Sequence, residues 1–228
     1  MKKNSKKHDH DSSSAAEFKL VIGDKTLSSW SMRAWLCAVQ TGAPFKEICI
    51  QLDRPDTAKQ IAKYSETGKV PVLIHGKNTV WDTLAIAEYL HEIYPESNIW
   101  PKDSSDRALA RSYAAEMHSG FASLRDQCSM DLSLKIKMNH MTNATIADIK
   151  RILQMWTQAL KKSKGPFLFG DFSAADAFFA PVVFRFISYG VNITDKKVLQ
   201  YIQNVQGHHG IQFWVEEAKT EKLYRPKF

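Results

Sequence analysis

A mixed α/β half followed by an all-helical half is the fold class this sequence predicts. Three observations predict it. Strand-like and helix-like runs alternate as β-α-β-α-β-β-α from Phe18 to about Leu90. A proline- and turn-rich stretch, Tyr94 to Ser105, then interrupts the pattern. Beyond it the apolar residues recur with helical spacing. The boundaries read from this pattern are a tail at 1–16, a first domain at 17–94, a linker at 95–104 and a second domain at 105–228.

The first strand is read from Phe18, Leu20 and Ile22 alternating with Lys19 and Val21, and Gly23-Asp24 breaks it. Ser28-Ser29-Trp30-Ser31 precedes a helix expected from Met32 to Gln40, ended by Gly42 and Pro44. A second strand is expected from Glu47 to Leu52. Asp56 then caps a short helix through Tyr64, and Gly68 stops it. Val70 to Ile74 forms a third strand, Gly76-Lys77-Asn78 a turn and Thr79 to Trp81 a fourth strand. Asp82 opens a helix bearing Leu84, Ile86, Ala87 and Leu90. The β-α-β start implies a parallel pair with a right-handed crossover. The tight turn makes the last two strands antiparallel. In the second half, Leu109, Tyr113, Met117 and Phe121 mark one helix; Ile149, Leu153, Trp156 and Leu160 mark another. Ser173 to Tyr189 is very apolar and therefore central. Its Arg185 and Tyr189 require a buried polar contact, since an unpaired buried charge is very costly. Thr194 caps a helix through Gln206 with Gly207 as its stop, and a last helix runs from about Gly210 to Thr220.

Composition narrows the function classes. The 228 residues are 44% hydrophobic and 24% charged, with 10 Gly and 8 Pro, which is a globular profile and excludes a low-complexity or collagen-like chain. The net charge of +7 invites a nucleic-acid reading. Two of those charges sit in residues 1–16, a nearly apolar-free segment expected to be disordered, and the other five are dispersed. Lys161-Lys162-Ser163-Lys164 reads as a solvated helix end. Neither a nucleic-acid nor a membrane partner is expected. The N-terminal stretch lacks the apolar core of a secretory signal. The longest apolar run, Ala177 to Ile187, is broken by Pro181 and Arg185 and falls short of the ~20 residues that span a bilayer. Cys37, Cys49 and Cys128 show no metal-ligand spacing and read as buried thiols of a cytoplasmic protein. His8 and His10 in the tail do not make a metal site, and no metal is expected.

Three short segments carry candidate chemistry. Ser28-Ser29-x-Ser31 stands where a helix begins, so its hydroxyls and the free N–H groups of the first turn either cap the helix or hold an anion. Val70-Pro71 at a strand start is either a register device or, if the bond is cis, a backbone edge offered to an extended peptide. Asp82-Thr83 at the next helix start is either a capping pair or a holder for an α-amino-acid head group, the carboxylate taking the amine. Gly170 to Asp176, GDFSAAD, places Ser173 and Asp176 as a reciprocal capping box.

On these residues the chain resembles the cytosolic glutathione S-transferase family over roughly Phe18 to Trp214. SSWSMRAWL is similar to the SSxSxRxxxL motif of the zeta class, and Ser28 to Arg33 keeps a serine-to-arginine spacing shared with the tau class. Asp82 follows Val70 by 12 residues, as the family's acid follows its V-P pair. Glu116 to Phe121, EMHSGF, is similar to a stretch in proteobacterial transferase-like proteins. The resemblance implies a thioredoxin-like N-terminal domain, an all-helical C-terminal domain, a homodimer, and glutathione as co-substrate. It implies that Ser28, with Ser29 as the alternative, activates the glutathione thiol. It implies that Lys69, Val70, Pro71, Asp82 and Thr83 bind the tripeptide. A small hydrophobic electrophile would then lie against Met117, His118 and Phe121, unless these residues serve core packing. Two departures stand out. Trp30 replaces the zeta-class cysteine, which puts maleylacetoacetate isomerisation in doubt. Cys37 lies two turns beyond the position used by thiol-dependent classes. The alternatives are a catalytically silent interaction module of the same fold, or a glutathione-dependent reductase or peroxidase.

Overall fold

The structure is a computed structural model that describes residues 17–223. The expectation for the tail at 1–16 lies outside the described residues. Four strands, β1 (Phe18–Ile22), β2 (Phe45–Cys49), β3 (Val72–His75) and β4 (Asn78–Trp81), form one mixed sheet in the order β2-β1-β3-β4. β1 pairs parallel with β2 and antiparallel with β3, and β3 pairs antiparallel with β4. Helices α1 (Ser29–Gln40), α2 (Thr57–Ile61) and α3 (Thr83–Ile93) complete the first half. A 3₁₀ turn at Pro95–Ser97 leads to α4 (Ser104–Ser119). The rest is helical: α5 (Ala122–Gln127), α6 (Asn143–Lys162), α7 (Ala174–Ser188), α8 (Lys196–Gly207) and α9 (His209–Thr220).

Local chemistry explains where the elements depart from expectation. α1 starts at Ser29, earlier than the expected Met32, because Ser28 is the residue that caps it. β2 starts at Phe45 because its register sets Phe18 opposite Phe45 and Ile22 opposite Cys49, leaving residues 51 and 52 without a strand partner in β1. β3 starts at Val72 because Pro71 has no N–H to give the ladder and Val72 is the residue paired with Val21. The helix expected to include Phe121 ends at Ser119, and Phe121 adopts a left-handed φ of 60° that turns the chain into α5. Asp195, not Thr194, caps α8, its carboxylate accepting from the Lys197 and Val198 N–H groups.

Phe18, Leu20 and Ile22 face the main core, which runs without a break from the sheet through α1 and α3 into α4, α6 and α7. Val21 is buried as well, against Ile50, Ile61 and Val72, because α2 covers the sheet's other face. Ser173 and Asp176 close the capping box, Asp176 accepting from the Ser173 N–H at 3.0 Å and the Leu168 N–H at 3.1 Å. That box fixes the start of α7, the helix that packs on both α1 and α4. Cys37 and Cys128 are buried, whereas Cys49 is exposed, correcting the expectation for it, because β2 is an edge strand. Among the described residues, no helix is long and apolar enough to cross a membrane.

Candidate functional site

The loop ends on one side of the sheet enclose a cleft of about 690 Å³. Ser28, Ser29, Lys69, Val70, Pro71, Asp82 and Thr83 all line it, so segments far apart in sequence meet at one wall. Leu52, Ile61, Trp30 and Trp81 supply its apolar surface. The two tryptophans carried no periodic or spacing signal as wall residues.

The start of α1 is a dense hydrogen-bonded turn. The Ser28 and Ser29 N–H groups donate back to Asp24 and Leu27 carbonyls, at 2.8 and 3.1 Å. Ser28 Oγ accepts from the Ser31 N–H at 3.3 Å and donates to Ser31 Oγ at 2.7 Å. Ser31 Oγ also accepts from the Gly23 N–H at 2.9 Å, tying α1 to the end of β1. The Trp30 N–H is thereby the first-turn donor with no partner among the described residues. Ser29 Oγ accepts from Arg185 Nη2 at 3.3 Å. Arg185 Nη1 donates to the Cys128 and Arg125 carbonyls, and Tyr189 donates to the Ser129 carbonyl at 3.0 Å. The polar contact required of Arg185 and Tyr189 is present, and it reaches the cleft wall.

Val70-Pro71 is a cis peptide bond, and Val70 lies outside the strand ladder, which begins at Val72. Lys69 is exposed beside it. Asp82 has a positive φ of 74°, and its Oδ1 accepts from the Leu84 N–H at 2.9 Å, capping α3. Its Oδ2 lies 3.2 Å from His118 Nε2. His118 Nδ1 lies 3.3 Å from Thr83 Oγ1, and Thr83 is fully buried. Burial holds the His118 pKa below its ordinary value; Asp82 opposes that shift, while Arg33 and Arg125 add to it.

Met117, His118 and Phe121 do not line the cleft. Met117 and Phe121 are buried in the main core, and His118 stands behind Asp82 and Thr83 with its ring edge-on to Trp30 at 5.0 Å. The spacing that groups them reads as one helix face, but α4 ends at Ser119, and Met117 and Phe121 serve core packing on either side of that end. Cys37 is buried in the main core and its thiol is pushed up to about 12 by burial, so it is inert. Among the described residues, no group of His, Cys, Asp and Glu is arranged to hold a metal ion.

Comparison with known proteins agrees with this architecture. The family described as "Glutathione S-transferase, N-terminal domain" matches residues 27–93, and "Glutathione S-transferase, C-terminal domain" matches residues 140–205, together more than half of the chain. Glutathione S-transferase 1 of Dianthus caryophyllus is 26% identical over 196 residues, covering 84% of this chain and 89% of the relative. A probable maleylacetoacetate isomerase of Caenorhabditis elegans is 23% identical over 167 residues, covering 73% of this chain and 77% of the relative. Among solved structures, a glutathione transferase homolog from Burkholderia with bound glutathione superposes with a TM-score of 0.70 at 25% identity, covering 90% of this chain and all of that one. A glutathione S-transferase from the Antarctic clam Laternula elliptica gives 0.71 at 20% identity, covering 90% of this chain and 95% of that one, and shows the fold. A thioredoxin-like domain and a helical domain with these matches define the class, and the chain belongs to the glutathione S-transferase family. The zeta-like subtype is not what these matches single out.

Proposed function

We propose that the chain is a glutathione transferase that holds glutathione in this cleft and presents its thiolate to a small hydrophobic electrophile. The observation that carries this reading is the convergence of Ser28, Ser29, Lys69, Val70, Pro71, Asp82 and Thr83 on one wall. Val70, outside the ladder, offers its N–H and C=O to the cysteinyl backbone of an extended tripeptide. Asp82 takes the γ-glutamyl amine, the start of α3 at Thr83 its carboxylate, and Lys69 the glycyl carboxylate.

The thiol then points at the start of α1. A thiol with a pKa of ~8.5 is only a few per cent ionised near neutral pH. Lowering it by about two units takes about 2.7 kcal/mol of differential stabilisation. One charge-assisted hydrogen bond contributes about 1.5–3 kcal/mol, and a helix N-terminus about 0.3–1 kcal/mol. A serine hydroxyl and the unpartnered Trp30 N–H are the donors available there. The thiolate attacks the electrophilic carbon, a sulfur–carbon bond forms, and the leaving group departs with its electron pair. A homodimer belongs to the same reading. Glutathione at millimolar concentration is expected to raise the melting temperature; an unchanged melting temperature would contradict the reading and favour a silent interaction module.

A further inference from the structure

This inference rests on the reading that glutathione's thiol reaches the start of α1, and it concerns which groups there ionise it. The two serines use their protons differently. Ser28 spends its proton inside the turn, donating to Ser31 Oγ at 2.7 Å while accepting from the Ser31 N–H. Ser29 Oγ accepts from Arg185 Nη2 at 3.3 Å and makes no other hydrogen bond among the described residues. Its O–H therefore remains to be given, and a hydroxyl whose oxygen is polarised by a cation donates more strongly. Both serines are 7% exposed and both line the cleft, so access does not separate them; the proton inventory does.

Three arginines, Arg33, Arg125 and Arg185, stand near Ser29 and Trp30, with Asp82 as the acidic side chain that acts on Arg33. Arg185 stays charged near neutral pH, although burial brings its pKa down to about 10. Arg33 is fully buried, and none of its three guanidinium nitrogens has a hydrogen-bond partner among the described residues. Arg125 Nε and Arg185 Nε are orphaned in the same way. The guanidinium carbons of Arg33 and Arg125 lie 4.7 and 5.0 Å from the centre of the Trp30 ring, and Trp30 is a cleft wall. Burial pushes the Arg33 pKa well below its ordinary value and repulsion from Arg125 and Arg185 adds to that, while Asp82 opposes it. A buried cationic layer of this kind favours an anion formed on the cleft side, because the low dielectric screens it weakly.

We propose that Ser29 is the catalytic hydrogen-bond donor to the glutathione thiolate and that Arg185 is its positioning residue, with Arg33 and Arg125 completing the positive layer behind them. On ionisation the thiol proton leaves to solvent. Ser29 Oγ keeps the hydrogen bond from Arg185 and donates its own to the sulfur. A side chain of the helical half thereby sets the ionisation of a ligand held by the sheet half.

The test follows the ultraviolet absorbance of the thiolate of glutathione bound to the full chain as pH is varied. Binding of S-methylglutathione, which has no thiol, is measured beside it. Ser29→Ala is expected to raise the bound thiol's pKa by about one unit, leaving about tenfold less thiolate at a pH below both values. S-methylglutathione should bind this variant as it binds the unaltered chain. Arg185→Met should shift the pKa in the same direction, Arg185→Lys should recover part of the shift, and Ser28→Ala should move it less than Ser29→Ala does. A larger shift for Ser28→Ala than for Ser29→Ala overturns the assignment, as does a folded Arg185→Met chain with an unmoved pKa. If Arg185→Met does not fold, Ser29→Ala decides alone, since it leaves the carbonyl contacts of Arg185 in place. Failure of S-methylglutathione to bind the unaltered chain contradicts the glutathione reading itself.

Discussion

Glu221 holds Thr26 across 195 residues of chain: one carboxylate oxygen accepts the Thr26 N–H at 2.9 Å and its hydroxyl at 3.0 Å. The other oxygen accepts the Lys25 N–H at 2.6 Å. The loop from Gly23 to Ser28 that delivers the serine pair is thus fastened by the end of the helical half. Trp214 Nε1 donates to the Lys25 carbonyl at 2.8 Å and completes the fastening.

Removing this anchor should loosen the loop. Glu221→Ala leaves two backbone N–H groups without their acceptor and is expected to cost about 1–3 kcal/mol of stability. The loss should appear in urea unfolding and in a lower kcat/KM for conjugation. Equal stability and kcat/KM in the two proteins would contradict the role given to Glu221.

Ser28 has a structural duty that Ser29 lacks. As N-cap of α1, it is expected to lose about 1 kcal/mol on substitution by alanine, read as a lower Tm. Ser29→Ala removes no cap, but it leaves the buried Arg185 Nη2 without its hydroxyl acceptor and is expected to cost about 1 kcal/mol on that account.

Asp82 both caps α3 and carries the charge expected to meet an amine. Asp82→Asn can keep the cap through its carbonyl oxygen and removes the charge. Calorimetry is expected to show glutathione binding weakened about tenfold, the value of a lost charge-assisted hydrogen bond. Undiminished binding would remove Asp82 from the site.

Acid stability offers a check on the fold away from the cleft. Burial and the neighbouring His209 bring the His208 pKa down to about 4, and its ring stacks on Phe172 at 3.9 Å. The folded state holds this histidine neutral, whereas the unfolded chain protonates it near pH 6.5. Its contribution is therefore complete above about pH 6.5 and is lost as pH falls toward 4, by about 3 kcal/mol. His208→Phe keeps a ring for the stack and should flatten that part of the pH dependence of urea unfolding. An unaltered pH dependence would contradict the assignment.

Much of this architecture is legible in the sequence, for identifiable reasons. The alternation at Phe18–Ile22 and the turn at Gly76-Lys77-Asn78 fix strands because turn chemistry and side-chain period are local properties. The cleft residues were legible because capping serines, V-P and the acid–hydroxyl pair stand at element starts, where backbone groups are free. What was not legible depends on partners distant in sequence. The short helix α5 follows a left-handed Phe121 that no pattern announces. His118 sits behind Asp82 and Thr83, outside the cleft wall, because α4 is set against α3. Arg185 required a buried partner on grounds of charge alone, but only the tertiary packing identifies its partners as the Cys128 and Arg125 carbonyls and Ser29 Oγ.

The most direct test of glutathione thiolate chemistry in this cleft is a paired assay. Conjugation of a nitroaryl halide to glutathione is measured beside glutathione-dependent reduction of a disulfide and a peroxide. An S-aryl glutathione product formed by the chain is expected, with that activity lowered by Ser29→Ala. Reduction of disulfide or peroxide without any conjugate, or glutathione binding without turnover of any of the three substrates, would contradict thiolate transfer in this cleft.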